Sequence, residues 1–124
     1  MGWLWVLVFC ILAVSPSTVL AHASLIKSVP ARRAQIFKSP PQIQLWFSER
    51  LEARFSSLRV IDSSGNRVDL DNVAVDTNDP KRISVGVKPL VPGQYKIRFR
   101  VLSVDGHIVE DDVPFTIRNT QRAP

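Results

Sequence analysis

From Tyr95 to Val101, large apolar and cationic residues alternate without a break: Tyr95, Ile97, Phe99 and Val101 are separated by Lys96, Arg98 and Arg100. A helix would scatter the apolar members around its circumference. An extended strand sends alternate side chains to opposite faces, so this stretch buries its apolar set only as part of a sheet with one dry face and one wet face. Other short alternating or apolar runs occupy 25–29, 42–47, 58–61, 67–70 and 83–87, and longer ones occupy 94–104 and 108–117. Turn-forming clusters separate them: Ser39-Pro40-Pro41, Ser63-Ser64-Gly65-Asn66, Asn78-Asp79-Pro80 and the segment 89–93. About seven short strands with frequent turns predict an all-β fold, an antiparallel Greek-key sandwich or barrel of immunoglobulin-like (cupredoxin-like) type. No stretch carries a sustained helical period, and 50–56 has room for one helical turn at most. Trp46 or Phe47 is expected to join Tyr95, Ile97, Phe99 and Val101 in the core.

The first residues follow a different pattern. Trp3 to Val14 is a continuous apolar run. It is shorter than the roughly 20 residues a membrane-spanning helix needs, and it suits the apolar region of a secretory signal. Pro16 and small polar residues follow, then Val19-Leu20-Ala21, which offers the small residues a signal peptidase accepts. The expected division is a secretory signal peptide over 1–21 and one domain over 22–124, with the cut between Ala21 and His22. The region before the apolar run lacks a basic side chain, which leaves an uncleaved membrane anchor as the alternative. No second apolar stretch approaches membrane length, so the domain is expected to be exported, soluble and periplasmic.

The single Cys (Cys10) and single Met (Met1) both lie in the segment expected to be removed. Residues 22–124 therefore hold no disulfide, thiolate or thioether, which excludes metal chemistry on sulfur ligands.

Two histidines remain, His22 and His107. Cleavage before His22 would create an α-amine and an imidazole on one residue, a pair that closes a chelate ring on one ion. Asp105-Gly106-His107 is the second element. In an extended segment, residues i and i+2 project from the same face, so Asp105 and His107 would offer a carboxylate oxygen and an imidazole nitrogen together. Three nitrogens and one oxygen with no sulfur favour Cu(II), and the Irving–Williams order points the same way. The bland reading of each element also stands: Asp-Gly is a common hairpin turn, and a His at a chain end is usually idle.

Other groups read as structural. Glu110, Asp111 and Asp112 look like a solvated strand end. Asp69, Asp71, Asp76 and Asp79 do not match the spacing of a calcium-binding loop. Ser56, Ser57 and Ser103 have no His and Asp arrangement suited to nucleophilic catalysis. The formal charge of +5 belongs wholly to residues 22–124. Arg32, Arg33, Lys96, Arg98 and Arg100 are expected to form a solvated positive face, with docking to an acidic partner or an anionic membrane as the alternative. Nucleic acid is not an expected partner, because no aromatic stacking motif accompanies the charge.

Across most of residues 22–124 the chain resembles the CopC-like copper resistance proteins, of which PcoC is another member. The resemblance runs through His22-Ala23-Ser24-Leu25, Ser28-Val29-Pro30-Ala31, Leu45-Trp46-Phe47-Ser48-Glu49 and Gly93-Gln94-Tyr95. It ends with Val101-Leu102-Ser103-Val104-Asp105-Gly106-His107 and Phe115-Thr116-Ile117. It implies a periplasmic Cu(II) binder with one ion per chain, held by His22 (amine and ring), Asp105 and His107. Glu49 corresponds to a residue expected to orient a ligand histidine. The best-known members also carry a Met-rich Cu(I) site, and the absence of Met from residues 22–124 implies the Cu(II)-only type. Some members are fused to a membrane importer. Here a separate inner-membrane copper transporter is the expected partner, and the expected assembly is a monomer.

The leading expectation is thus a copper carrier or buffer serving copper homeostasis or resistance, not an enzyme. An oxidative enzyme built on a histidine brace is a second reading, disfavoured by a carboxylate in the copper plane. A metal-free immunoglobulin-like interaction module is a third.

Overall fold

A computed structural model describes residues 23–120. The expected signal peptide, His22 and residues 121–124 lie outside them. The described chain forms eight strands: β1 (Leu25–Val29), β2 (Ala34–Ile36), β3 (Gln42–Phe47), β4 (Ser57–Asp62), β5 (Ala74–Val75), β6 (Arg82–Gly86), β7 (Gly93–Leu102) and β8 (Ile108–Ile117). A single 3-10 turn at Ala53–Phe55 precedes β4. Among the described residues, no helix is long and apolar enough to cross a membrane.

The strands form two four-stranded sheets, in the orders β1-β3-β6-β5 and β2-β8-β7-β4. They pack face to face as the expected immunoglobulin-like sandwich. Strand β7 buries Tyr95, Ile97, Phe99 and Val101 and exposes the residues between them, as its alternation requires. Facing it from the other sheet, β3 buries Ile43, Leu45 and Phe47. Phe47 and Phe99 meet edge to face across the interior, with ring centroids 5.3 Å apart. Each fully buried side chain of this size contributes about 1.5–3 kcal/mol relative to exposure. Trp46 points to the opposite face of β3, half-buried, with the Lys27 ammonium 4.8 Å from its ring centroid.

Two details depart from expectation. The sheets are not purely antiparallel, because β2 runs parallel to β8. With three residues it is too short to show an alternation, and the same holds for the two-residue β5. The run 67–70 is not a strand. It is held by single bridges, Arg67 to Ile61 and Asp69 to Val87, because the Asp69 side chain turns inward. Its carboxylate accepts the Val60 and Asp71 N–H groups and is clamped by Arg67 at 2.9 Å. Burial pushes this carboxyl up, but the Arg67 guanidinium and the two N–H donors outweigh it and hold it below the ordinary carboxylate value.

The positive face is also largely neutralised. Arg98 pairs with Asp112 and Arg100 with Glu110, each at 3.0 Å across the β7–β8 ladder, and Arg32 reaches Asp111 at 2.8 Å. Glu110 and Asp112 are the cross-strand partners of Arg100 and Arg98, and Asp111 pairs with Arg32 outside the ladder. The pairing register sets the two cross-strand pairs: Arg98 faces Asp112 and Arg100 faces Glu110.

Candidate metal centre

Asp105-Gly106-His107 is the turn of the β7–β8 hairpin and not an extended segment. Leu102 and Ile108 are the last paired residues. Beyond them, Gly106 N–H donates to Ser103 O at 3.0 Å and Ser103 N–H to His107 O at 2.9 Å. Gly106 has φ +90°, a left-handed conformation that glycine adopts without penalty. This is the three-residue hairpin loop that closes with a left-handed glycine. The turn, and not the two-residue period of a strand, brings Asp105 and His107 together.

The two side chains meet closely. His107 Nδ1 lies 3.2 Å from Asp105 Oδ2, with side-chain exposures of 29% and 36%. The pair is partly buried and partly open to solvent. Asp105 Oδ1 accepts a hydrogen bond from the Ser103 hydroxyl, and the His107 N–H approaches the same hydroxyl oxygen at 3.3 Å. Ser103 is almost fully buried, at 1% exposure. Ser, Asp and His are therefore adjacent, but the carboxylate stands between hydroxyl and imidazole. A nucleophilic triad needs the imidazole in the middle, and here the hydroxyl donates to the carboxylate and not to the imidazole. The sequence predicts that Ser103 lacks a His and Asp arrangement suited to nucleophilic catalysis; both residues adjoin it, in an order that does not make a triad. The missed signal was the spacing of Ser103 two residues before Asp105, the register of a local side-chain hydrogen bond.

Two further segments converge on this end of the sandwich. Val104 N–H donates to Arg50 O at 2.9 Å, Glu52 N–H to Leu102 O at 2.8 Å, and Ser103 bridges to Leu51. The same connection holds the start of the described chain. Ser48 N–H donates to Ser24 O at 2.9 Å, and Ser24 N–H to Ser48 Oγ at 2.8 Å. Ala23, the first described residue, is buried. Segment 48–52 thus ties the entry into β1 and the Asp105–His107 turn to one end. Glu49 lies on it, half-buried, between Ser48 and Arg50.

Among the described residues, no group of three or more His, Cys, Asp or Glu side chains is arranged to hold a metal ion. The described part supplies two donors, Asp105 and His107. His22, expected to supply the amine and second ring, lies outside it. The larger hollows are elsewhere, on the outer face of the β2-β8-β7-β4 sheet. One, of about 600 Å³, lies between Arg33, Asp62, Lys96 and Thr116, and one of about 490 Å³ lies along Arg59, Arg98 and Arg100. Neither includes Asp105 or His107.

Known proteins share this architecture. The CopC domain family matches residues 25–118. The chain is 31% identical over 114 residues to the copper transport protein CutJ of Bacillus subtilis, a match covering 91% of this chain and 21% of that protein. It thus spans about a fifth of that relative's length. The crystal structure of CopC from Methylosinus trichosporium OB3b superposes with a TM-score of 0.75 at 30% identity, covering 83% of this chain and all of that one. PcoC from Escherichia coli, a methionine-rich copper resistance protein, superposes at 0.68 with 31% identity, over 79% of this chain and all of PcoC.

Proposed function

We propose that this chain, which belongs to the CopC family, is exported with loss of residues 1–21 and carries one Cu(II) ion where Asp105 and His107 meet. Its relatives are named for copper resistance and copper transport, so its function is copper-related.

The observation that carries it is the Asp105–His107 pair at the end of the sandwich where the chain enters β1. Two ligand atoms each about 2.0–2.1 Å from an ion and at right angles to one another stand about 2.9 Å apart. The 3.2 Å between Asp105 Oδ2 and His107 Nδ1 is within a small side-chain adjustment of that spacing. His22 is joined directly to Ala23, which is buried at this end. An amine and ring on His22 would complete three nitrogens and one oxygen, a set suited to tetragonal Cu(II). In this reading Glu49, next to Ser48, would orient a ligand histidine.

PcoC is described as methionine-rich, whereas residues 22–124 of this chain contain no Met or Cys. That composition favours Cu(II) over the softer Cu(I). Copper is cargo in this reading. A carboxylate beside the imidazole occupies a position that an oxygen-activating copper would keep open, so the proposed role is a periplasmic carrier or buffer and not a catalyst. A monomer that hands its ion to a separate inner-membrane transporter fits the role.

Native mass spectrometry of the exported protein, without and with Cu(II), tests the reading in one experiment. The expected mass begins at His22 and rises by one tightly held copper. A correctly cut chain that gains no copper overturns the function. A mass retaining residues before His22 removes the amine from the ligand set.

A further inference from the structure

We infer that Ser103 is a positioning residue for copper. In this reading its buried hydroxyl holds one oxygen of Asp105 and thereby turns the other toward His107. The inference rests on the proposed Cu(II) site.

The geometry assigns the two carboxylate oxygens different tasks. Oδ1 accepts the Ser103 hydroxyl, and Oδ2 is the oxygen 3.2 Å from His107 Nδ1. An Asp in an exposed turn would ordinarily sample several χ1 wells and turn its carboxylate broadly about χ2. Here one oxygen is tethered, so the rotation that would swing Oδ2 away breaks a hydrogen bond to an ionised acceptor, one of the stronger kinds.

The tether is itself fixed. Ser103 is buried at 1% exposure, its N–H donates to His107 O, its carbonyl accepts from Gly106 N–H, and it bridges to Leu51. Its hydroxyl oxygen also receives the His107 N–H at 3.3 Å. One side chain therefore contacts both expected ligand residues and sets their separation before an ion arrives. Holding ligands in place beforehand removes an ordering cost from binding, and partners of this kind typically change metal affinity 10–100-fold. The hydroxyl's single proton goes to Oδ1, which directs Oδ2, the oxygen without that bond, to the metal.

A double-mutant cycle on the processed protein tests this, read by competitive Cu(II) titration and by electron paramagnetic resonance of the bound Cu(II). Ser103→Ala is expected to bind Cu(II) about tenfold more weakly, with copper hyperfine parameters moved toward those of Asp105→Ala. In the Asp105→Ala background, adding Ser103→Ala is expected to change affinity by less than about twofold. Ser103→Ala that binds as tightly as the parent, while Asp105→Ala is weakened, overturns the inference and leaves the site standing. An unchanged loss from Ser103→Ala in the Asp105→Ala background also overturns it, because the hydroxyl would then act through the fold. Asp105→Ala that binds as tightly as the parent overturns the site itself. Ser103→Thr, which keeps a hydroxyl, guards against a folding defect in the Ala variant. A folded Ser103→Thr protein should match the parent, and one that binds as weakly as Asp105→Ala contradicts the inference.

Discussion

Asp105 Oδ2 and His107 Nδ1 lie 3.2 Å apart, yet neither residue belongs to a strand. A glycine at φ +90° bends the chain between them, and a hairpin of two ten-residue strands holds the bend. The site's precision therefore comes from the rigid β7–β8 ladder below it, and its access comes from its position at the tip.

If both side chains hold the ion, Asp105→Ala and His107→Ala should each weaken Cu(II) binding by roughly a hundredfold, at least the upper end of what supporting residues cost. Both positions lie in a turn, Asp105 exposed and His107 half-buried, so thermal stability should fall by no more than about 1 kcal/mol. The measurement is a competition titration against a chelator of known affinity, with a melting curve as control. In the parent, affinity should fall steadily from neutral to mildly acidic pH, because protons compete for nitrogen ligands; a flat profile would contradict the ligand set.

If the amine of His22 is a ligand, copper binding depends on where the chain is cut. A protein made with one extra residue before His22 should fold identically and lose the amine-plus-ring chelate. Its Cu(II) affinity should drop by at least tenfold, and its electron paramagnetic resonance spectrum should report fewer nitrogens. Equal affinity in the two forms would exclude the amine.

A Cβ on Gly106 would meet no atom within 4 Å, so crowding does not forbid Gly106→Ala. The backbone at φ +90° does, at a cost of about 1–2 kcal/mol for an L-residue in this region. The variant should melt lower by chemical or thermal denaturation and bind Cu(II) more weakly, since relaxing the turn separates Asp105 from His107.

Asp69 is the one acidic residue buried within the described fold, and removing it should be felt far from copper. Asp69→Ala leaves the Val60 and Asp71 N–H groups without their acceptor and Arg67 with Asp71 alone, a loss of about 1–3 kcal/mol. The pH dependence has a definite sign. The folded-state pKa of Asp69 is lowered, so its contribution is complete above the unfolded value of about 3.9 and disappears as pH falls through the folded value. Denaturant melts of the parent below pH 4 should show stability falling, and Asp69→Ala should show a shallower fall. Parallel curves would remove Asp69 as the cause.

The alternation of Tyr95 to Val101 was enough to assign β7, its buried set and hence a sheet with a dry side. Residue type alone also settled which atoms were available to a metal, because residues 22–124 offer two histidines and no sulfur. Both conclusions depend on local order along the chain, on a two-residue period and on an inventory of donors. What required the folded chain were relationships between distant residues. Arg98 and Arg100 of β7 are neutralised by Asp112 and Glu110 because hairpin register opposes them. The Asp69 carboxylate leaves the surface because Val60, on the neighbouring strand, presents an N–H to it. The entry into β1 and the Asp105–His107 turn share one end because segment 48–52 bonds to both. Ser103 acquired its place in the same way, between a turn of its own making and Leu51 on another segment. No local pattern records such pairings: their hydrogen bonds form only after the two sheets have closed on the core, and that closure sets which polar groups become neighbours.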